Sequence, residues 1–304
     1  MTESMIEVKN FRKLYGDYLA VDNISFTVQR GEIFGLLGPN GAGKTSTLES
    51  LEGLRPPSGG TLRVADVDPT AAPHKLRNLI GVQLQSAGLP ASITADEAMK
   101  LFCAYHGVAP RFDLLERLGL GGKRNVEFQG LSTGLQRRLA LALAVAHDPA
   151  VLFLDEPTAG LDVASRVELH SLMRELKARG TTIILATHDM AEAEDLSDRV
   201  AILLKGKVVA VDTPLALTAT GAGLTKISVN TRAGVLLSNL QTIPAVSQQL
   251  VKDQYAIYFS TNIGQTVAAL INAVEAAGDT LIDLRVERPS LEDRFLELTN
   301  GEKK

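Results

Sequence analysis

Between Gly38 and Thr45 the chain reads Gly-Pro-Asn-Gly-Ala-Gly-Lys-Thr. These residue types at this spacing, GxxxxGK(S/T), suit a loop that wraps nucleotide phosphates. A triphosphate needs many N–H donors converging on one point, so the backbone must curl with no Cβ in the way, which Gly38, Gly41 and Gly43 allow. A helix starting at the loop adds free N–H groups and the positive end of its dipole. Lys44 would reach the β- and γ-phosphates as a point charge, and the Thr45 hydroxyl would sit on Mg²⁺. Asp155-Glu156 ends the apolar run Val151–Leu154. Carboxyl ends of parallel strands face the ligand crevice, so both carboxylates should point at the phosphates. Asp155 is suited to hold Mg²⁺ and Glu156 to polarise an attacking water as general base. Taken apart from the loop, the same pair is only a solvated strand end.

Three further positions share that rim. His188 follows the apolar run Thr182–Leu185 and could bond the γ-phosphate, although a lone histidine is more often structural. Gln85 closes the apolar segment Leu79–Leu84 and could orient Mg²⁺ or water. Ser132, within Leu131-Ser132-Thr133-Gly134-Leu135, is a good N-cap for a helix over Gln136–Ala146. Small residues there leave N–H groups open to an anion, and plain helix capping explains the residue types as well.

The elements that must position these residues follow the order such chemistry needs. Glu32–Leu37 is a short apolar run ending at the loop, and Leu48, Leu51 and Leu54 recur at helical spacing after it. Val21, Ile24, Phe26 and Val28 mark a β-rich stretch within 6–37. Residues 90–147 read as mainly helical, broken near Gly119–Gly122. The runs Val151–Leu154 and Thr182–Leu185 suit parallel strands buried on both faces, joined by a helix carrying Leu169, Leu172, Met173 and Leu176. A hairpin, Arg199–Leu204 with Lys207–Val211, turns at Lys205-Gly206. From about Gly221 strands and helices alternate again: Leu224–Asn230, a helix near Ala233–Leu240, Tyr255–Ser260, a helix Ile263–Ala277 and Leu281–Glu287. That order suits a small α+β domain of ferredoxin-like kind with no catalytic cluster.

Composition narrows the classes. The 304 residues suffice for two domains, and 45% apolar content is ordinary for a globular chain. A formal charge of −4 argues against nucleic acid as the main partner. The one cysteine, Cys103, excludes an internal disulfide framework and fits a reducing compartment. Met1–Asn10 has no apolar leader, and the longest apolar stretch, Leu139–Leu154, is broken by His147-Asp148-Pro149. The expectation is a soluble chain whose membrane component, if any, lies elsewhere.

Together the motifs over about residues 5–217 resemble the nucleotide-binding subunit of ATP-binding cassette (ABC) transporters. By that resemblance Tyr15 is the ring that stacks on adenine, and Gly38–Thr45 with Ser46 is the Walker A loop, including Asn40 and Ala42. Gln85 is the Q-loop glutamine, LSTGL (Leu131–Leu135) the signature, LFLDE (Leu152–Glu156) the Walker B, AGLD (Ala159–Asp162) the D-loop and His188 the switch histidine. In the family's usual LSGGQ a glycine stands at position 133 and a glutamine at 135; this chain has Thr133 and Leu135.

The resemblance implies an α/β P-loop NTPase cassette in residues 1–217: a parallel-sheet core, an N-terminal antiparallel β subdomain and a helical subdomain at about 86–147. Residues 218–304 would form a small accessory domain. It implies ATP and Mg²⁺, with Lys44, Glu156 and His188 catalytic and Thr45, Gln85 and Asp155 at the metal. Two copies pair head to tail, so that Leu131, Ser132, Gly134 and Asp162 of one face the ATP of the other. A separately encoded membrane-spanning permease would dock on the helical subdomain, placing the chain in the cytoplasm at the inner face of the membrane. The ending Pro289–Thr299 resembles that of daunorubicin-resistance-like exporter cassettes. Two other readings, a soluble ABC protein acting on ribosomes and an ATP sensor without hydrolysis, fit less well. The first usually carries two cassettes or a coiled-coil insertion, and the second has no need of Glu156 and His188.

Overall fold

The structure, a computed structural model, describes residues 4–84, 88–219, 224–238, 243–287 and 290–301. Contacts divide the chain into two units, Met1–Thr213 and Pro214–Lys304. The first begins with the hairpin β1 (Ser4–Tyr15) and β2 (Tyr18–Gln29), whose inward side chains, among them Ile6, Val8, Phe11, Ile24 and Phe26, are buried. β3 (Ile33–Leu37), buried along its whole length, leads into the phosphate loop and α1 (Lys44–Leu51). Leu48 and Leu51 pack inward as their spacing predicts; the helix ends before Leu54, which is exposed. β4 (Gly59–Val64) pairs with β1 to complete a three-stranded antiparallel sheet of order β2-β1-β4.

After α2 (Pro73–Arg77) and β5 (Ile80–Gln83) the chain turns helical: α3 (Ala95–Tyr105), α4 (Phe112–Arg117) and α5 (Thr133–Val145). A complete capping box starts α3, in which the Thr94 side chain accepts from Glu97 N–H and the Glu97 carboxylate accepts from Thr94 N–H. The three helices share a core of Met99, Cys103, Leu115, Leu139 and Ala142. Cys103 is buried there beside Met99, a small apolar packing residue. α5 also lies hard against β5, because a Cβ on Gly81 would collide with the Ala144 carbonyl oxygen. Gly81→Ala is therefore expected to cost about 1–3 kcal/mol in calorimetric unfolding. An unchanged midpoint would mean that α5 can move off the strand freely.

β6 (Val151–Asp155), α6 (Val163–Ala178), β7 (Thr182–Thr187), α7 (Met190–Leu196), β8 (Arg199–Leu204) and β9 (Lys207–Asp212) complete the unit. The central sheet runs β5-β6-β7-β3-β8-β9, parallel except for the antiparallel pairing of β8 with β9. β7 lies between β3 and β6, with Thr187 opposite Leu37 and Ala186 opposite Asp155. This register brings the ends of three strands to one level, so the phosphate loop, His188 and Glu156 emerge side by side. The site is thus assembled by sheet order rather than by nearness in sequence.

In the second unit, α8 (Pro214–Ala219) precedes β10 (Thr225–Thr231), α9 (Val235–Ser238), β11 (Val246–Lys252), β12 (Tyr255–Ser260), α10 (Ile263–Ala276), β13 (Leu281–Glu287) and α11 (Leu291–Gly301). The division after Thr213 places α8 wholly in this unit, whereas the sequence boundary at 217 runs through it. The antiparallel sheet of order β11-β12-β10-β13 follows the β-α-β-β-α-β sequence of a ferredoxin-like unit. Ile227, Val229, Tyr258, Leu270 and Val274 form its core. Ser290 caps α11 reciprocally: Asp293 N–H donates to its Oγ (3.2 Å), and Ser290 N–H donates to the Asp293 carboxylate (2.9 Å).

Candidate functional site

The loop after β3 closes over a cavity of about 290 Å³ lined by Tyr15, Tyr18, Ala20, residues 39–46, Asp155 and Glu156. Gly43, at φ 102°, precedes α1 in a conformation L side chains rarely adopt, and a Cβ there would lie 2.7 Å from the Ala20 carbonyl oxygen. No side chain caps α1. Thr94, Ser132, Asp162, Asp189, Asn262 and Ser290 cap the other described helices of seven residues or more. The free N–H groups of α1 and its dipole therefore face the cavity, an arrangement suited to an anion.

Lys44 is buried at the start of α1. Its ammonium donates to the carbonyls of Gly38 (2.7 Å) and Pro39 (3.3 Å) and lies 3.7 Å from Glu156 Oε1. Burial pushes the Lys44 amine down, while Glu156 and then Asp155 oppose that shift. The cation is thus held at the loop by two backbone carbonyls and the Glu156 carboxylate.

Thr45 Oγ1 donates to Asp155 Oδ2 at 2.9 Å. Asp155 Oδ1 is buried with no hydrogen-bond partner among the described residues. Burial also pushes this carboxyl up, against the Thr45 hydrogen bond. A hydroxyl beside a buried carboxylate oxygen with a spare acceptor is the donor set of a hard divalent cation, so the residues present fit Mg²⁺.

Glu156 is 8% exposed and takes φ 51°, a left-handed conformation uncommon for a non-glycine residue, with its N–H donating to the Ala186 carbonyl at 2.9 Å. Its carboxylate is shared: Oε1 faces Lys44, and Oε2 lies 2.7 Å from His188 Nδ1. The His188 side chain is 56% exposed, so it meets solvent on one side and the carboxylate on the other. A carboxylate steadied by a cation and an imidazole at the rim of a phosphate cradle can accept a proton from water.

Tyr15 borders the same cavity, its hydroxyl donating to Ser46 Oγ at 3.3 Å. Leu131, Ser132, Gly134 and Asp162 do not line it. Ser132 Oγ accepts from Leu135 N–H at 3.4 Å, Leu131 is buried in the helical core, and Asp162 accepts from Ser165 N–H and Oγ. Leu135, at the position where the resemblance expects glutamine, packs against the helical core. Gln85 lies outside the described residues. Sequence reasoning missed two cavity residues, Tyr18 and Ala20, although Tyr18 follows Tyr15 across a two-residue turn.

Residues 21–159 match the family model for the ABC transporter. A Nod factor export ATP-binding protein I of Paraburkholderia xenovorans is 37% identical over 99% of both chains. A daunorubicin resistance ATP-binding protein of Streptomyces coeruleorubidus is 32% identical over 100% of this chain and 98% of its own. Among solved structures, an ATP-binding subunit of an ABC transporter superposes with TM-score 0.68 at 27% identity, covering 72% of this chain and 94% of its own. A dimeric ATP-binding cassette in a post-hydrolysis state bound to ADP and Pi superposes with TM-score 0.64 at 26% identity, covering 69% of this chain and 98% of its own. With a built phosphate cradle, a carboxylate beside it and likeness along the full length of such relatives, the chain belongs to the ABC transporter family, as one of its ATP-binding, ATP-hydrolysing subunits.

Proposed function

We infer that the chain powers an exporter through a head-to-tail pair of its own copies, docked on a separate permease at the inner face of the membrane. The cavity carries this reading. It unites the cradle, Lys44, Asp155 and Glu156 and does not include Ser132 or Gly134, as a site completed by a second chain would require. Lys44 and the N–H groups of the loop and α1 bind the phosphates, with Tyr15 under the base. Thr45, Asp155 and Gln85 would hold Mg²⁺, which would supply positive charge to offset that of the phosphates. Glu156 takes the proton of the attacking water, and His188 orients that carboxylate and the γ-phosphate. Ser132, Gly134 and Asp162 complete the partner's site.

Export is favoured over import by the tail at Pro289–Thr299 and by two full-length relatives whose names state export and drug resistance. The accessory unit adds docking or dimer surface. No described helix is long and apolar enough to cross a membrane, so the reading assigns that work to the permease. The acidic balance, net −4, weighs against the ribosome as target.

The test is Ser132→Arg. It should leave ATP binding to the isolated chain unchanged while lowering turnover at least about a hundredfold, the loss typical of a removed transition-state donor. Lys44→Ala should abolish both. If Ser132→Arg weakens binding to the monomer as much as Lys44→Ala does, Ser132 serves its own chain's site and the head-to-tail reading fails.

A further inference from the structure

Tyr15 and Tyr18 are directly opposite one another at the closed end of the β1–β2 hairpin. Opposed residues of an antiparallel pair project from the same face, with Cβ atoms roughly 5 Å apart. Both residues line the cavity beside the phosphate loop.

Their surroundings differ. Tyr15 is fixed from behind: its hydroxyl is tied to Ser46, and Lys13 Nζ and Arg55 Cζ lie 5.1 and 5.5 Å from its ring centroid. Each cation is itself anchored, Lys13 on the Pro56 carbonyl (2.7 Å) and Arg55 on Glu49 (2.5 Å). Neither cation lines the cavity, and Tyr15 itself remains 37% exposed. Tyr18 has no such scaffold. It is 62% exposed, and its hydroxyl makes no hydrogen bond among the described residues.

We propose that Tyr18 is a second base-contacting ring, which closes on the nucleobase that Tyr15 supports and sets a preference for purine over pyrimidine nucleotides. The proposal rests on reading Tyr15 as the base platform. A base that covers an exposed ring at the mouth of its own site gains apolar contact and stacking, and the larger bicyclic base gains more. Stacking reads the size of the π-face rather than its hydrogen-bonding edge, so adenine and guanine are held alike and uracil more weakly. Tyr18 is a specificity residue and takes no part in the proton or phosphate chemistry.

Calorimetric titration of the full chain with ADP, UDP and inorganic pyrophosphate tests this, because none of the three is consumed. Tyr18→Ala should raise the Kd for ADP about tenfold, raise that for UDP less, and leave pyrophosphate binding unchanged. Tyr18→Phe should stay within about twofold of the natural chain, since the ring and not the hydroxyl makes the contact. An unaltered ADP affinity in Tyr18→Ala, or an equal loss for pyrophosphate, overturns the proposal. Should Tyr15→Ala also leave ADP binding intact, the reading of Tyr15 on which the proposal rests falls with it, whereas a loss confined to Tyr15→Ala removes Tyr18 alone.

Discussion

The Glu156→Gln variant is expected to hydrolyse ATP about a thousandfold more slowly than the natural chain while still binding it. Glutamine preserves the shape of the side chain, so it can take the same left-handed backbone position at φ 51° without new strain at the end of β6. What it loses is the acceptor for a proton from water. The charge balance predicts the second half of the result. Lys44 is buried and Glu156 is the foremost group opposing the downward shift that burial imposes on its amine. With that carboxylate neutral, triphosphate becomes the main counter-charge available to Lys44, and affinity for ATP holds or tightens. Binding without turnover should also let the ATP-bound pair of chains accumulate, which size-exclusion chromatography would detect. Turnover within tenfold of the natural chain would mean that another group accepts the proton. His188→Ala separates orientation from proton acceptance. It removes the 2.7 Å partner of Glu156 and should lower kcat while leaving the KM for ATP nearly unchanged.

The parts of this molecule that were legible in its sequence are those where one physical demand acts on neighbouring residues. The phosphate cradle is local, and so are its requirements: no Cβ, then a cation, then a hydroxyl, over Gly38–Thr45. β6 and β7 are buried on both faces and read as unbroken apolar runs. β11 is largely exposed and carries no such run, and β4 buries only Leu62 and Val64, too short an alternation to stand out. The meeting of His188 with Glu156 is set by β7 lying beside β6, a pairing made by the sheet rather than by any spacing. Tyr18 was missed for a different reason. Its importance comes from facing Tyr15 across a turn, which becomes a prediction only once the hairpin register is known.

A buried acid behind the site carries the other large effect. Glu52 caps the end of α1, four residues after Leu48, on the side of the helix that faces the core. It is 5% exposed, and its Oε2 has no hydrogen-bond partner among the described residues. Burial, reinforced by the charges of Asp155 and Glu49, pushes its carboxyl up to about 8. An acid whose folded pKa exceeds its unfolded value binds its proton more tightly in the native state. Its stabilising contribution is therefore complete below about 4.5, declines as pH rises, and is lost by about 8. The difference of about 3.5 units corresponds to about 5 kcal/mol at most. About 4 kcal/mol of this is lost between pH 5 and 9, so at about 2–4 °C per kcal/mol for a unit of this size that pH rise should lower the Tm of the first unit by roughly 8–16 °C. Glu52→Gln cannot ionise, so its Tm should fall far less over the same range and exceed that of the natural chain at pH 9. Calorimetric scans of both proteins at the two pH values decide the matter. Parallel falls would show that Glu52 already carries its charge in the folded state, and that the α1 core accommodates a carboxylate beside Asp155.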